Sequence, residues 1–404
     1  MNKKRRVPRI RFPGFEEDWE EKTVAEITAF HKQGFYTTEE YDETKKYYLL
    51  RGTDLSENKL ILKDTPKINA TEKDYEAFRT RVGDFLIVRS GTIGTYGIVY
   101  EDIPAIFGSY LINFRFDKKR VTNEFFGYFY QSDVFMNQLR QIIQQSANTN
   151  INAENIKSTM ICLPTLEEQE QIGRYINEID NFIYSCQNEL NMWREFKKGM
   201  LQKLFPKTGE CVPEIRFPGF DGVWIKRKLD EVAMYRNGKA HEQEISENGK
   251  YVVVNSKFVS SNGIVRKYSE KQIEPMYKNE IAFVLSDVPN GKAIARTYLI
   301  DKDDTYTLNQ RVAGITPLYG VDPYFLYASM NRSPYFLKFD DGVKQTNLSI
   351  ADVLGFEQCY PSYEEQRLVG ELLHFIDQYV MINQEELYQW NKLKKGLLQQ
   401  MFVA

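Results

Sequence analysis

Residues 7–27 read VPRIRFPGFEEDWEEKTVAEI, and residues 212–232 read VPEIRFPGFDGVWIKRKLDEV. The two share the skeleton V-P-x-I-R-F-P-G-F-x-x-x-W at an offset of 205 (212 − 7), and both close on a matched glutamate, Glu26 and Glu231. A second pair of blocks follows. Residues 149–205 contain TNINAENIKSTMICLPTLEEQ and end in KKGMLQKLF. Residues 346–402 contain TNLSIADVLGFEQCYPSYEEQ and end in KKGLLQQMF, at an offset of 197 (346 − 149). Chance does not produce two matched blocks in the same order. The period is far longer than the roughly 20–50 residues of a solenoid repeat. The chain is therefore a duplicated unit: a globular segment followed by a helix. Between the matched blocks, residues 28–148 share little with residues 233–345. Like ends with unlike middles suggest one scaffold carrying two different recognition surfaces; drift after duplication is the plainer alternative.

The second blocks define the helices. Pro164 and Pro361 end a strand, and Thr165 and Ser362 stand three residues before Glu168 and Glu365, the S/T-x-x-E pattern of a capping box. Apolar residues then recur every three to four positions at Ile172, Ile176, Ile179, Ile183, Cys186, Leu190, Trp193, Met200 and Leu204, interrupted at Lys197. The second copy runs Val369, Leu373, Ile376, Val380, Asn383, Leu387, Trp390, Leu397 and Met401, interrupted at Lys394. A sustained 3.5-residue period is what a left-handed coiled coil requires. Two such stripes in one chain, with a globular segment between them, predict an antiparallel intramolecular pair, with Asn383 as a register-fixing polar residue. A helix pair buried against the globular segments, or a homodimerising zipper, stays open.

The expected segments are a globular part at 1–162, a helix at 163–206, a second globular part at 207–359 and a second helix at 360–404. The class is α+β: two globular α/β domains separated by two long helices forming an antiparallel coiled coil, with a pseudo-twofold internal repeat. In the first globular part, residues 84–100 read as strand, Gly-rich turn and strand, residues 110–116 as a further strand, and residues 123–145 as one amphipathic helix with Phe125, Phe126, Phe129, Phe135 and Leu139 inward. In the second, residues 280–286, 293–300 and 311–316 read as strands, 289–291 as a turn and 324–339 as the corresponding late helix.

Composition narrows the function. The chain has 404 residues, 42% hydrophobic and 27% charged, with a net charge of −3 and a pI near 5.9. A free-standing non-specific DNA binder usually has a domain pI above ~9, so any DNA role rests on local patches or on partners. No run approaches the ~18 apolar residues of a membrane span. The basic start MNKKRRVPRIRF has no apolar region behind it, so a secretory signal is not expected. Cys162, Cys186, Cys211 and Cys359 form no C-x-x-C pair and are read as reduced thiols in a cytoplasmic protein. There is no G-x-x-x-x-G-K-[ST] loop, no G-x-G-x-x-G fingerprint and no N/D-P-P-Y/F tetrapeptide. The glycines of residues 91–97 fit a tight hairpin. His31, His241 and His374 stand isolated, so no metal site is expected.

Candidate DNA contacts gather at turns and strand starts: Arg89, Ser90, Thr92, Tyr96, Ser109, Tyr110, Asn113 and Arg115 in the first part, and Ser286, Asp287, Asn290, Lys292, Asn309, Gln310 and Arg311 in the second. Asn148, Asn150, Lys344, Gln345 and Asn347 lie in polar stretches before the matched blocks. Arg, Asn and Gln make bidentate contacts to guanine or adenine edges, and Thr and Tyr supply apolar or phosphate contacts. Ordinary surface polarity accounts for any one of them equally well.

The R-F-P-G-F-x-x-x-W openings at Arg11 and Arg216, the P-x-x-E-E-Q blocks at Pro164 and Pro361, and the K-K-G-[ML]-L-Q helix ends together resemble type I restriction-modification specificity subunits over nearly the whole chain. The resemblance implies two target recognition domains, each reading half of a split site on double-stranded DNA. It implies spacer helices that dock two methyltransferase subunits, and restriction-translocase subunits that join for cleavage. It further implies no catalysis and no cofactor in this chain: S-adenosylmethionine would belong to the methyltransferase, ATP and Mg2+ to the motor. A coiled-coil scaffold without DNA function and a self-sufficient enzyme remain the rivals.

Overall fold

The structure, a computed structural model, describes residues 6–38, 40, 42–56, 58–89, 94–145, 152–241, 243–289 and 291–403. It divides into two compact units: Met1–Gln187 with Glu385–Ala404, and Asn188–Gln384.

In the first unit a six-stranded sheet runs in the order Thr28–Gln33, Leu111–Phe116, Phe85–Val88, Tyr96–Ile98, Lys59–Leu60, Leu55–Ser56. Its central strand Phe85–Val88 is buried on both faces. Phe85 and Ile87 join a core with the helix residues Phe125, Phe126, Phe129, Phe135 and Leu139. Leu86 and Val88 face a second core with Leu50, Ala105 and Phe107. That core lies under a small sheet in which Tyr47–Leu50 pairs in parallel with Ala105–Phe107. The single helix expected over 123–145 is two, Asn123–Gln131 and Asp133–Gln145. Ser132 breaks it: its backbone is extended, and its hydroxyl donates to the Phe129 carbonyl (2.6 Å) while accepting from the Phe135 amide (3.3 Å), a local bond that competes with helix propagation.

The second unit repeats this plan with other residues. A four-stranded sheet runs Ala233–Asn237, Val312–Pro317, Ile281–Val284, Thr297–Leu299, and Tyr251–Val254 pairs in parallel with Tyr306–Leu308. The strand expected over 293–300 is shortened because Ala295 adopts a left-handed φ of 55°. The late helix is split into Pro323–Met330 and Pro334–Leu337 around Arg332, at φ 56°.

The long helices are Leu166–Leu204 and Tyr363–Gln400; at 39 residues the first extends about 58 Å. Each unit contains a segment of both. In the first, Asp180 meets Lys394 and Phe182 stacks on Trp390 at 5.0 Å, so one number falls as the other rises: the segments are antiparallel. In the second, Trp193 packs on Tyr379 at 4.9 Å and Lys197 pairs with Asp377. Ile172, Ile176, Ile179, Leu190, Val369, Leu373 and Ile376 are buried, and Ile183, Trp193, Val380, Leu387 and Trp390 are partly so. Seam and globular cores are continuous: Ile172 and Ile176 belong to the cluster of Phe125, and Val369 and Leu373 to that of Phe325. The Asn383 amide donates to the Tyr379 carbonyl of its own helix.

The repeated motifs join these parts. Arg11 donates twice to Glu168, at 2.8 Å each, and Arg216 twice to Glu365, at 2.6 and 2.8 Å. The capping boxes are therefore only half formed. Thr165 and Ser362 accept from the Glu168 and Glu365 amides, but the carboxylates turn to arginine. Gln169 donates to the Arg120 and Pro164 carbonyls and accepts from the Thr122 amide; Gln366 does the same with Gly320, Pro361 and Asp322. Trp19 and Trp224 are buried in their units' cores.

The reading of all four cysteines as thiols needs correction. Cys211 and Cys359, 148 residues apart, form a disulfide. The Trp224 amide donates to the Cys211 carbonyl, and strand Ile225–Lys228 pairs with Glu357–Tyr360. Together these bring the segment around Cys211 beside the strand Glu357–Tyr360. Cys162 and Cys186 are free thiols.

Candidate nucleic-acid interface

In each unit, three chain segments meet at one end of the main sheet. In the first they are residues 34–36, the start of the turn after Val88, and residues 108–110. The Gly34 amide donates to the Leu111 carbonyl, Phe35 to Phe107, and Arg89 to Tyr110. In the second unit Gly238 donates to Val312, Lys239 to Leu308, Leu285 to Arg311 and Gln310 to Lys239. The close approach requires glycine: a Cβ at Gly34 would lie 2.0 Å from the Gly108 carbonyl oxygen, and one at Gly238 2.1 Å from that of Asn309. These matched glycines escaped the sequence reading, since each sits in a stretch the two halves do not share.

What the platforms present differs. Strand register aligns Leu111 and Val88 with Val312 and Val284. The next positions outward are thus Arg89 against Leu285, Tyr110 against Arg311, and Ser109 against Gln310. Tyr110 is 69% exposed, and Arg311 and Gln310 are exposed. Tyr36, 75% exposed, and a pocket of about 380 Å³ lined by His31, Lys32, Gln33, Arg89, Ile112, Asn152, Ala153 and Glu154 complete the first platform. Its basic side chains are partly engaged: the His31 ring faces Glu154 at 3.5 Å, and the Lys32 ammonium donates to the Ala77 carbonyl over the Phe78 ring. Arg89 donates from Nη1 to the Ser109 carbonyl at 3.5 Å.

Two of the first unit's contact candidates, Tyr96 and Asn113, are buried, and a third, Arg115, is committed to a buried carboxylate; none of the three reads DNA. Tyr96 is 2% exposed and stacks on Phe85 at 4.7 Å. Asn113 is fully buried, its amide donating to Asp84. Arg115 donates from Nε and Nη2 to the same Asp84 carboxylate, its guanidinium 4.5 Å above the Phe30 ring. The reason is that these strands are covered on both faces, so Tyr96 and Asn113 point inside and the partly exposed Arg115 turns to the buried Asp84. The second unit places Glu280 where the first has Asp84, and Arg236, from a different strand, donates twice to it. A buried carboxylate with an arginine partner is thus common to both units, although neither sequence position of the arginine matches.

In the second unit Ser286 is 6% exposed and accepts from the Gln345 amide. Asp287 holds the turn, accepting from the amides of Val288, Ala293 and Ile294. Neither side chain is free to read a base. The Asn309 carboxamide oxygen accepts from the Gln310 amide. Lys292, Lys344, Gln345 and Asn347 are exposed around the turn. Ser90, Thr92, Asn148, Asn150 and Asn290 lie outside the described residues. Arg296 and Arg332, absent from the sequence-based set, flank the same turn, donating to the Lys292 and Ile294 carbonyls. Burial, and then the neighbouring Arg296, lower the pKa of Arg332. Two close guanidiniums of this kind suit a phosphate. Among the described residues, no three His, Cys, Asp or Glu side chains are grouped to hold a metal ion, and no helix is long and apolar enough to cross a membrane.

The model of the family described as the type I restriction modification DNA specificity domain matches residues 16–192 and 222–389, most of the chain. The chain belongs to this family. As a specificity subunit it is 29% identical over 262 residues to the type I restriction enzyme MjaVIII specificity subunit of Methanocaldococcus jannaschii, covering 61% of each chain. It is 28% identical over 203 residues to the putative type I restriction enzyme MjaX specificity subunit of the same organism, covering 47% of this chain and 46% of that one. The aligned region thus spans about three fifths or less of those relatives' lengths. The crystal structure of the type I restriction-modification S subunit from M. genitalium shares the fold of this specificity subunit, with a TM-score of 0.65 at 16% identity over 98% of this chain and 99% of that one.

Proposed function

We propose that this specificity subunit reads a split, asymmetric sequence in double-stranded DNA, one half with each unit's platform, for a type I restriction-modification enzyme whose chemistry resides in other subunits. One observation carries the reading. The two units keep the same supporting contacts, Gly34 with Gly238 and Asp84 with Glu280, yet present unlike side chains at equivalent outward positions, Ser109 against Gln310 and Tyr110 against Arg311. A common frame with different outward groups suits two readers of different base sequences. Residues 1–162 and 207–359 are then the recognition domains, and residues 163–206 and 360–404 the spacer helices.

Two methyltransferase subunits dock on the helices, where Phe182 and Tyr388 of the first unit and Met192, Met381 and Ile382 of the second are each at least half exposed. Exposed apolar groups on that scale fit a protein partner. Restriction-translocase subunits join the complex for cleavage. S-adenosylmethionine belongs to the methyltransferase, ATP and Mg2+ to the motor, and the assembly works in the cytoplasm. With a net charge of −3, the chain depends on its partners for many phosphate contacts, so affinity and its salt slope rise on assembly.

The test is a methylation map of a host lacking other modification, expressing this chain with its methyltransferase. One split motif methylated on both strands is the expected result. A blank map with the partner bound refutes DNA reading by this chain; a blank map without binding favours a scaffold.

A further inference from the structure

Lys197 and Lys394 break the apolar period of the long helices, and both are occupied in the same way. In the first unit the Lys394 ammonium lies 2.6 Å from Asp180 Oδ1. Asp180 Oδ2 accepts from the Tyr128 hydroxyl and the Asn58 amide, each at 3.0 Å. In the second unit Lys197 pairs with Asp377, whose Oδ2 accepts from the Tyr324 hydroxyl at 2.6 Å. In each case the aspartate comes from one long helix and the lysine from the other. The tyrosine comes from a helix of the globular part, Asn123–Gln131 or Pro323–Met330. One carboxylate thus joins three elements. The arrangement occurs twice, with the roles of the two long helices exchanged.

An apolar seam alone tolerates a shift along its repeat, because each knob finds another hole. These charged side chains are only 19–24% exposed. A shift would leave a partly desolvated charge without its partner, a far less favourable state than the paired one. The tyrosine hydroxyl adds direction, since it reaches the carboxylate only when the globular part is seated in one way. We propose that Tyr128–Asp180–Lys394 and Tyr324–Asp377–Lys197 are positioning triads that fix the seat of each recognition head on its helix pair, and thereby the spacer the protein accepts between its half-sites. This rests on the DNA-reading function proposed above.

The test uses the full chain with its methyltransferase. The triple variant Tyr128→Phe, Asp180→Asn, Lys394→Met removes the coupling with neutral groups of similar volume. The expected result is unchanged half-site sequences, with at least tenfold more methylation than wild type at sites whose spacer is one base pair longer or shorter. The reversed pair Asp180→Lys, Lys394→Asp restores the narrow preference. An unchanged spacer profile in the triple variant overturns the proposal. If wild type itself methylates no split site, the DNA reading fails, and the triad is judged on geometry instead. Spin labels carried by unnatural amino acids at the exposed positions Glu101 and Lys392 report a distance distribution. It broadens at least twofold in the triple variant, and in Tyr128→Phe alone should the triple variant not fold. Equal widths overturn the proposal by that route.

Discussion

Glu168 and Glu365 are 0% and 1% exposed, and each is held by a single guanidinium through two hydrogen bonds. Removing the arginine strands a buried carboxylate, which typically costs ~3–5 kcal/mol. Arg11→Ala is expected to lose that much stability in urea unfolding, whereas Arg11→Met with Glu168→Leu should be close to neutral because both charges leave together. The motif containing Arg11 was legible as a repeat. Its partner, 157 positions away, was not, because the capping pattern gave Glu168 a local role that the arginine overrides. Glu274 makes a pH-dependent contribution. Burial pushes its carboxyl up, but hydrogen bonds from Lys239 and Arg236 prevail and hold it below the ordinary 4.5. Its stabilisation is therefore complete above pH 4.5 and fades as pH falls through the depressed value. Glu274→Gln should flatten the slope of unfolding free energy against pH below 4.5, as read by denaturant titrations; an unchanged slope would mean the group titrates as in the unfolded chain.

At the scale of elements, helices and strands differed in how far the sequence revealed them. The 3.5-residue period of the long helices survives in one dimension, so their extent and mutual burial could be read directly. The lysines read as interruptions because the aspartates facing them lie on the other helix. Strands covered on both faces lose the alternation that separates inside from outside. Asn113 and Arg115 therefore read as surface groups when their partner Asp84 lies inside. The platform glycines make an element-level prediction. A methyl at Gly34 or Gly238 would meet a backbone carbonyl oxygen at 2.0 or 2.1 Å, and backbone cannot yield as a flexible side chain does. Gly238→Ala should cost at least the ~1–3 kcal/mol of ordinary overpacking. Hydrogen exchange should show faster opening of the strand ends Asn237 and Val312, with the first unit's Gln33 and Leu111 unchanged. Uniform protection across both would sink the role given to the glycine.

At the scale of the whole molecule, the duplication was plain in the sequence, but which helix segment completes which unit was not. The second unit is one continuous stretch, Asn188–Gln384, while the first needs Glu385–Ala404 to close. Leu397, Met401 and Phe402 are 7%, 2% and 4% exposed in the first unit's core, with Phe402 5.3 Å from the Phe125 ring. The Arg9 and Ile10 amides both donate to the Gln400 carbonyl. Burying three such side chains contributes about 1.5–3 kcal/mol each, a large part of the ~5–15 kcal/mol that keeps a domain folded. The corresponding groups of the second unit, Met200, Leu204 and Phe205, lie within its own stretch. Ending the chain after Gln384 should therefore unfold the first unit selectively. Limited proteolysis of the truncated protein should degrade residues 6–187 and leave a resistant fragment spanning roughly 188–384. Equal loss of both units would show that the second depends on the first for its stability, and that the contacts internal to each do not suffice to hold it.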